Sequence, residues 1–260
     1  VKPEIYFPGG RQLYHEPVAS SGDPASFSVS DSFRPPGQRV AAPGTAALEL
    51  TRTVHTRGTS NATALATRCG AQIIERLDEL RHEPGGERLK GAQPAVLVKC
   101  LLAHGASWGT AEEIVDQVFR DAMNDSHDRR RVWQKMNRLK ARFLGYGEVD
   151  GARATFCTDE RVTALGWASI EADQGHVYRL PLPAALTASK IRRRLTVTVA
   201  WLTPLNSRHR SYRRAYLWCT LPQERLGISR AQVGSDTARR GTVEHRVLEG
   251  EAAVAIVEGD

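Results

Sequence analysis

Seven residues, Gly58-Thr59-Ser60-Asn61-Ala62-Thr63-Ala64, carry the clearest chemical signal in the chain. A serine between a glycine-containing turn and the first turn of a helix is placed for nucleophilic attack. The turn presents the hydroxyl. The amides at the helix start have no carbonyl one turn earlier to bond, so they are free to stabilise a developing oxyanion. Serine is also a favoured helix N-cap, and taken alone the Gly-Thr-Ser tripeptide fits that plainer role better.

The wider context favours the nucleophile. The heptapeptide resembles the nucleophile signature of the subtilisin-like serine proteases, Gly-Thr-Ser-x-Ala-(Ser/Thr)-Pro, with Gly58, Thr59, Ser60, Ala62 and Thr63 matching. Ala64 stands where Pro is usual, inside the first helical turn, where Ala is at least as acceptable sterically. Upstream, Lys2-Pro3-Glu4-Ile5-Tyr6-Phe7-Pro8-Gly9 is similar to the Lys-Pro-Asp-x-x-x-Pro-Gly strand that precedes the nucleophile loop in that family. Downstream, Leu144-Gly145-Tyr146-Gly147-Glu148-Val149-Asp150 resembles the Gly-x-Gly-x-Val-(Asp/Asn) turn near the end of its catalytic domain. The three segments occur in the family's order. The resemblance implies an α/β subtilisin-like catalytic domain, incomplete and represented by its C-terminal half. In it Ser60 is the nucleophile and gives its own N–H to the oxyanion, with Thr59 as an additional donor behind it.

The same resemblance implies an Asp and a His earlier in the chain, in the order Asp, His, Ser. Only 59 residues precede Ser60, too few for the family's spacing. His15 and His55 lack its His-Gly-Thr surroundings. Asp23 and Asp31 lie in a Ser/Pro-rich loop without the Asp-(Thr/Ser)-Gly context, and the oxyanion-hole Asn has no counterpart. The expectation is the C-terminal part of a longer subtilase that lacks the Asp and His of its triad. An unassisted hydroxyl is a weak nucleophile, so the chain is expected to be inactive alone. The alternative is a non-enzymatic protein- or nucleic-acid-binding module, and motifs upstream of Val1 would discriminate between the two.

The elements that must position Ser60 follow from periodicity. Residues 1–7 read as a short strand, 16–46 as a long loop punctuated by Pro35-Pro36-Gly37 and Pro43-Gly44, and 46–55 as a strand leading to the Ser60 turn. From Asn61 to Arg81, the spacing of Ala62, Leu65, Ala66, Cys69, Ile73, Leu77 and Leu80 is helical, with Gly70 suggesting a close backbone approach. Pro94 to His104 reads as a second helix, with His104 packing at its end. Thr110-Ala111-Glu112-Glu113 is a capping box for a third, burying Ile114, Val115, Val118 and Phe119. Residues 129–144 form a basic amphipathic helix with Val132, Met136, Leu139 and Phe143 inward, capped by Gly145.

After about residue 160 the period becomes 2. Strands are expected over 177–182, 195–201, 211–219 and 242–257, the last region turning around Glu249-Gly250. In Leu195 to Trp201, Leu195, Val197, Val199 and Trp201 share one face, and Thr196 and Thr198 the other. The pattern suggests an antiparallel β-sandwich, similar to the jelly-roll-like domains that follow the catalytic domain in some subtilases. The expected domains are residues 1–160, part of the catalytic domain, and 161–260, the sandwich.

Composition bounds the remainder. The 260 residues are 41% hydrophobic and 25% charged, an ordinary globular balance. No apolar run reaches membrane-spanning length, so no membrane partner is expected. Cys69, Cys100, Cys157 and Cys219 are scattered, which speaks against a zinc site or disulfide scaffold and suits a reducing setting. Cys69 and Cys100 fall on apolar helical faces. No phosphate loop, metal-ligand cluster or dinucleotide fingerprint occurs, so no cofactor is expected. The formal net charge is +7, with basic runs at 129–131, 190–194 and 208–214. These read as solvated faces, making nucleic acid an unlikely partner. A protein or peptide substrate and the missing N-terminal part are the expected partners.

Overall fold

The computed structural model describes residues 4–16, 26–30, 32–120, 129–179, 193–210, 212–217, 219, 229–230, 239–240 and 242–250. Their architecture is mixed α/β, with small sheets and several helices. The chain divides into two compact units, Tyr6–Cys69 and Val1–Ile5 with Gly70–Asp260. This division falls inside the longest helix. It differs from the change of period near residue 160 on which the expected domains rest.

The unit of residues 6–69 is built from short antiparallel pairs. After β1 (Ile5–Tyr6), β2 (Tyr14–His15) pairs with β3 (Ser28–Val29), and β4 (Gln38–Ala41) pairs with β5 (Thr53–Thr56), placing Val40 opposite Val54. The expected loop over 16–46 therefore contains β3 and β4. Two to four residues between proline-rich turns are too few for a period to show. The expected strand over 46–55 is realised only from Thr53. Glu49 closes a turn just before it, its Oε2 accepting from the Thr45 amide at 2.7 Å and the Thr45 hydroxyl at 2.9 Å. Leu48 and Leu50 are fully exposed beside that turn.

α1 (Thr59–Leu80) crosses the division. Its predicted 3.6-residue pattern holds at Cys69, Ile73 and Leu77, which are buried, while Leu80 is 46% exposed. Burying an aliphatic side chain of this size contributes about 1.5–3 kcal/mol. Gly70 is buried, but the expected close backbone approach is absent. A Cβ there would meet only Val98 Cγ1, at an ordinary 3.6 Å.

In the second unit, Ile73 and Leu77 of α1 and Val96, Leu97 and Leu101 of α2 (Pro94–His104) are buried. β6 (Ala106–Ser107) and β7 (Gly147–Val149) are antiparallel, in a three-stranded sheet ordered β1-β7-β6. Between them run α3 (Ala111–Arg120) and α4 (Arg129–Leu144), and α5 (Gly151–Thr155) follows with Asp150 as its N-cap. On α3 Val115 is buried, but Ile114 and Val118 are more than 60% exposed. Among the described side chains of α4, Asn137, Lys140 and Ala141 are buried, whereas Phe143 is 50% exposed and stacks on Phe119. The buried face of α4 is therefore rotated from the expected one, because α3 offers Lys140 two carboxylates, Glu112 at 2.7 Å and Asp116 at 2.9 Å. Gly145, at φ 60°, caps α4 as expected, its amide bonding Ala141 O at 3.1 Å.

Among the described residues beyond 160 there is no helix. β8 (Arg193–Ala200), β9 (Ser229–Arg230), β10 (Arg239–Arg240) and β11 (Val243–Gly250) form one antiparallel sheet. β11 is its hub, running from Val243 opposite Ala200 to Gly250 opposite Arg193. Glu249 and Gly250 thus lie in a strand and not at a turn. A sandwich requires a second sheet facing this one, and the described residues do not contain it. Residues 177–179 form no strand, and Val177 is 93% exposed. Among the described residues of 211–219 a single bridge, Leu205 to Arg213, is formed. The expected strand positions 180–182 and 251–257 lie outside the described residues.

Candidate active site

Ser60 lies at a strand-to-helix junction as expected, but within the first turn of α1, which begins at Thr59 and not after Ser60. β5 ends at Thr56, Gly58 takes φ 136°, and α1 begins at Thr59. That backbone conformation favours glycine. Ser60 is exposed in the first helical turn. Among the described residues its hydroxyl makes no capping bond, so the N-cap role is not the one it plays here. Thr59 precedes it at the helix start, and Thr59 O accepts from the Thr63 hydroxyl at 2.9 Å. Helix geometry leaves the Thr59 and Ser60 amides without a carbonyl one turn earlier, the arrangement that favours a negative charge at this end.

The turn is held by bonds to neighbouring segments. The Gly58 amide donates to Gly9 O at 2.8 Å, and the Asn61 amide donates to Gly58 O at 3.2 Å. Asn61 Nδ2 reaches the Thr56 hydroxyl at 3.0 Å and Gly9 O at 3.4 Å. Arg57 fixes the approach to the turn. Its guanidinium donates to Arg11 O at 2.7 Å, Arg34 O at 2.5 Å and Ser32 O. Sequence reasoning missed Asn61 and Arg57, because their partners lie up to 52 residues away. Their adjacency to the Gly58-Thr59-Ser60 tripeptide was the available signal.

Of the other sequence candidates, His15 is exposed in β2. His55 sits in β5 opposite Arg39, with its amide bonded to Phe33 O at 3.1 Å. Among the described residues neither ring is hydrogen-bonded to the Ser60 hydroxyl. Asp23 and Asp31 lie outside the described residues. Among the described residues the arrangement therefore supplies an exposed hydroxyl and free helix-start amides but no base hydrogen-bonded to Ser60.

The third motif occupies a different setting. The Tyr146 amide donates to Glu4 O at 2.7 Å, Trp108 Nε1 donates to Gly145 O at 3.0 Å, and the Asp150 carboxylate caps α5 through the Ala152 amide at 3.0 Å. Gly147 takes φ 113°, and a Cβ there would lie 2.0 Å from Ser107 O.

A buried polar cluster escaped sequence reasoning. Thr198 Oγ1 lies 3.1 Å from His104 Nδ1 and 2.8 Å from His245 Nδ1. His104 closes the end of α2 as expected, and its partner is the threonine face of β8. Burial lowers the pKa of both rings. Arg194 and Arg153 add to the effect at His104, and His104 and Arg194 add to it at His245, which reaches about 3. One neutral ring then donates to the hydroxyl while the other accepts from it. Cys100, pushed up to about 11 by burial, donates its thiol to Thr198 O at 3.3 Å. These groups are neutral partners of one another, with no poised base or thiolate among them. Cys69 is buried, Cys157 is exposed, and none of the four cysteines is joined in a disulfide.

No group of three or more His, Cys, Asp or Glu suited to a metal occurs among the described residues. No helix there is long and apolar enough to cross a membrane. Compared with protein-family models, curated proteins and solved structures, the chain matches none.

Proposed function

We propose that this chain carries the nucleophile half of a subtilisin-like serine endopeptidase, with Ser60 as the nucleophile. The observation that carries the reading is the exposed Ser60 hydroxyl on the first turn of α1, entered from β5 through Gly58. Two backbone bonds support it. Gly58 to Gly9 joins the nucleophile motif to the upstream motif, and Tyr146 to Glu4 joins the downstream motif to the same upstream strand. Segments that resemble one family's signatures independently are thus neighbours in space, each pair within its own unit.

In this reading Ser60 Oγ attacks the carbonyl carbon of a peptide bond as its proton passes to a histidine base. The carbonyl oxygen becomes an oxyanion that accepts from the Ser60 N–H, with the Thr59 end of the helix contributing its positive partial charge. Collapse of the intermediate releases the amine and leaves an acyl-Ser60 ester, which water hydrolyses. The reading places the histidine and its orienting aspartate outside these 260 residues.

The test is proteolysis of an unfolded protein substrate by the product of the complete reading frame. Hydrolysis that Ser60→Ala abolishes supports the reading. Hydrolysis that Ser60→Ala leaves intact, or its absence from a folded complete product, rejects it.

A further inference from the structure

We propose that the hairpin in which residues 203–206 pair with 212–215 binds single-stranded nucleic acid. The stretch from Gln174 to Gln223 contains nine Lys and Arg residues and no Asp or Glu, so it alone carries +9, more than the +7 of the whole chain. Within that stretch, residues 203–206 and 212–215 pair as a ribbon. Asn206 N donates to Tyr212 O at 2.7 Å, Arg214 N to Pro204 O at 3.1 Å, and Ala215 N to the Thr203 hydroxyl at 2.8 Å. The Asn206 side chain accepts from the Arg208 amide at 3.2 Å and closes the tip.

A merely solvated basic face interleaves acids with its cations, as the end of α1 and the residue after it do with Arg76–Glu79 and Arg81–Asp78. This ribbon does not. Arg208, Arg210 and Arg214 are exposed, and among the described residues they have no carboxylate within ion-pair distance. Three exposed arginines with no carboxylate partner among the described residues fit a polyanion.

The aromatic residues choose among polyanions. Tyr212 and Tyr216 are each 53% exposed, with the Arg213 guanidinium 5.8 Å from both ring centroids. Exposed rings beside guanidinium groups stack with unpaired bases while the cations meet phosphates. An acidic polypeptide would use the cations and leave the rings unused. Paired bases in a duplex keep their faces stacked on each other.

The test uses the full chain, the Tyr212→Ala/Tyr216→Ala pair and the Arg208→Gln/Arg210→Gln/Arg214→Gln triple. Fluorescence anisotropy follows a labelled oligothymidylate of ~20 nucleotides, longer than one binding site, with polyglutamate as competitor. Salt-sensitive binding is expected, with polyglutamate a poor competitor. The arginine triple should lower the log–log salt slope by about 2, and the tyrosine pair should weaken binding about tenfold or more at an unchanged slope. If the alanine pair does not fold, Tyr212→Leu/Tyr216→Leu keeps apolar bulk and reads the same stacking. No binding at low salt, equal competition by polyglutamate, or tyrosine variants that bind like the parent would overturn the proposal.

Discussion

The Gly58 amide donates to the Gly9 carbonyl across 2.8 Å, tying the Pro8-Gly9 turn to the residue two before Ser60. The approach is close enough that a Cβ on Gly9 would lie 2.9 Å from Gly58 O. That neighbour is backbone and cannot rotate away. Gly9→Ala is expected to cost about 1–3 kcal/mol and to slow any reaction at Ser60. Gly175→Ala, whose Cβ meets nothing within 4 Å, is the comparison. Urea denaturation of both variants checks the difference, and equal midpoints would show that the tie is slack.

Gly147→Ala should be the more damaging glycine substitution. It combines a φ of 113° with a Cβ placed 2.0 Å from Ser107 O. Conformational strain alone costs of order 1–3 kcal/mol, and relieving the clash means separating β7 from β6. The expected outcome is a lower melting temperature than that of Gly9→Ala. A variant that melts like the parent would mean that β6 and β7 are not paired as described.

Lys140 gives an asymmetry. Its side chain is 9% exposed, while those of Glu112 and Asp116 are 43% and 36% exposed. Burial works to lower its pKa, but hydrogen bonds and charge from the two carboxylates outweigh this and raise it. Lys140→Met leaves two carboxylates that water can reach and should cost little. Glu112→Ala/Asp116→Ala leaves a buried cation unpaired, which typically costs about 3–5 kcal/mol. Chemical denaturation at neutral pH ranks them, and the reverse order would contradict the geometry. The contribution of the raised pKa is present below the ordinary lysine value and is lost as pH rises through the folded one.

His245 predicts acid lability. Burial, then His104 and Arg194, lower its pKa from 6.5 to about 3. Between those values the unfolded chain binds a proton that the folded ring refuses, so stability falls as pH drops through the window. One proton displaced in full corresponds to about 1.4 kcal/mol per pH unit. His104, also lowered, adds in the same direction. His245→Gln, which keeps a hydrogen-bonding group toward Thr198, should flatten the slope of unfolding free energy between pH 6 and pH 4. An unchanged slope would show that other groups govern acid unfolding.

These contrasts follow how far each feature reaches along the chain. α1 was legible because its 22 residues repeat one period, and the Ser60 turn because its chemistry is local. β3 and β4, two and four residues long, are too short to carry a pattern. The face of α4 was misread at Lys140, since a hydrophobic period turns a lysine outward unless its partners are known, and Glu112 lies 28 residues away. Thr198 is 94 residues from His104 and 47 from His245, so no spacing rule announces their cluster. Among the basic runs, the tyrosines beside Arg213 were visible, but their shared ribbon was not.

The most direct measurement for the central claim is mass-spectrometric mapping of a fluorophosphonate adduct. The product of the complete reading frame and the 260-residue chain alone are treated in parallel. The expected result is one adduct on Ser60 in the complete product, abolished by Ser60→Ala, and negligible labelling of the chain alone, where no base among the described residues is bonded to the hydroxyl. An adduct on another serine, or none in a folded complete product, would contradict Ser60 as the nucleophile. Strong labelling of Ser60 in the chain alone would contradict the placement of the base outside these residues.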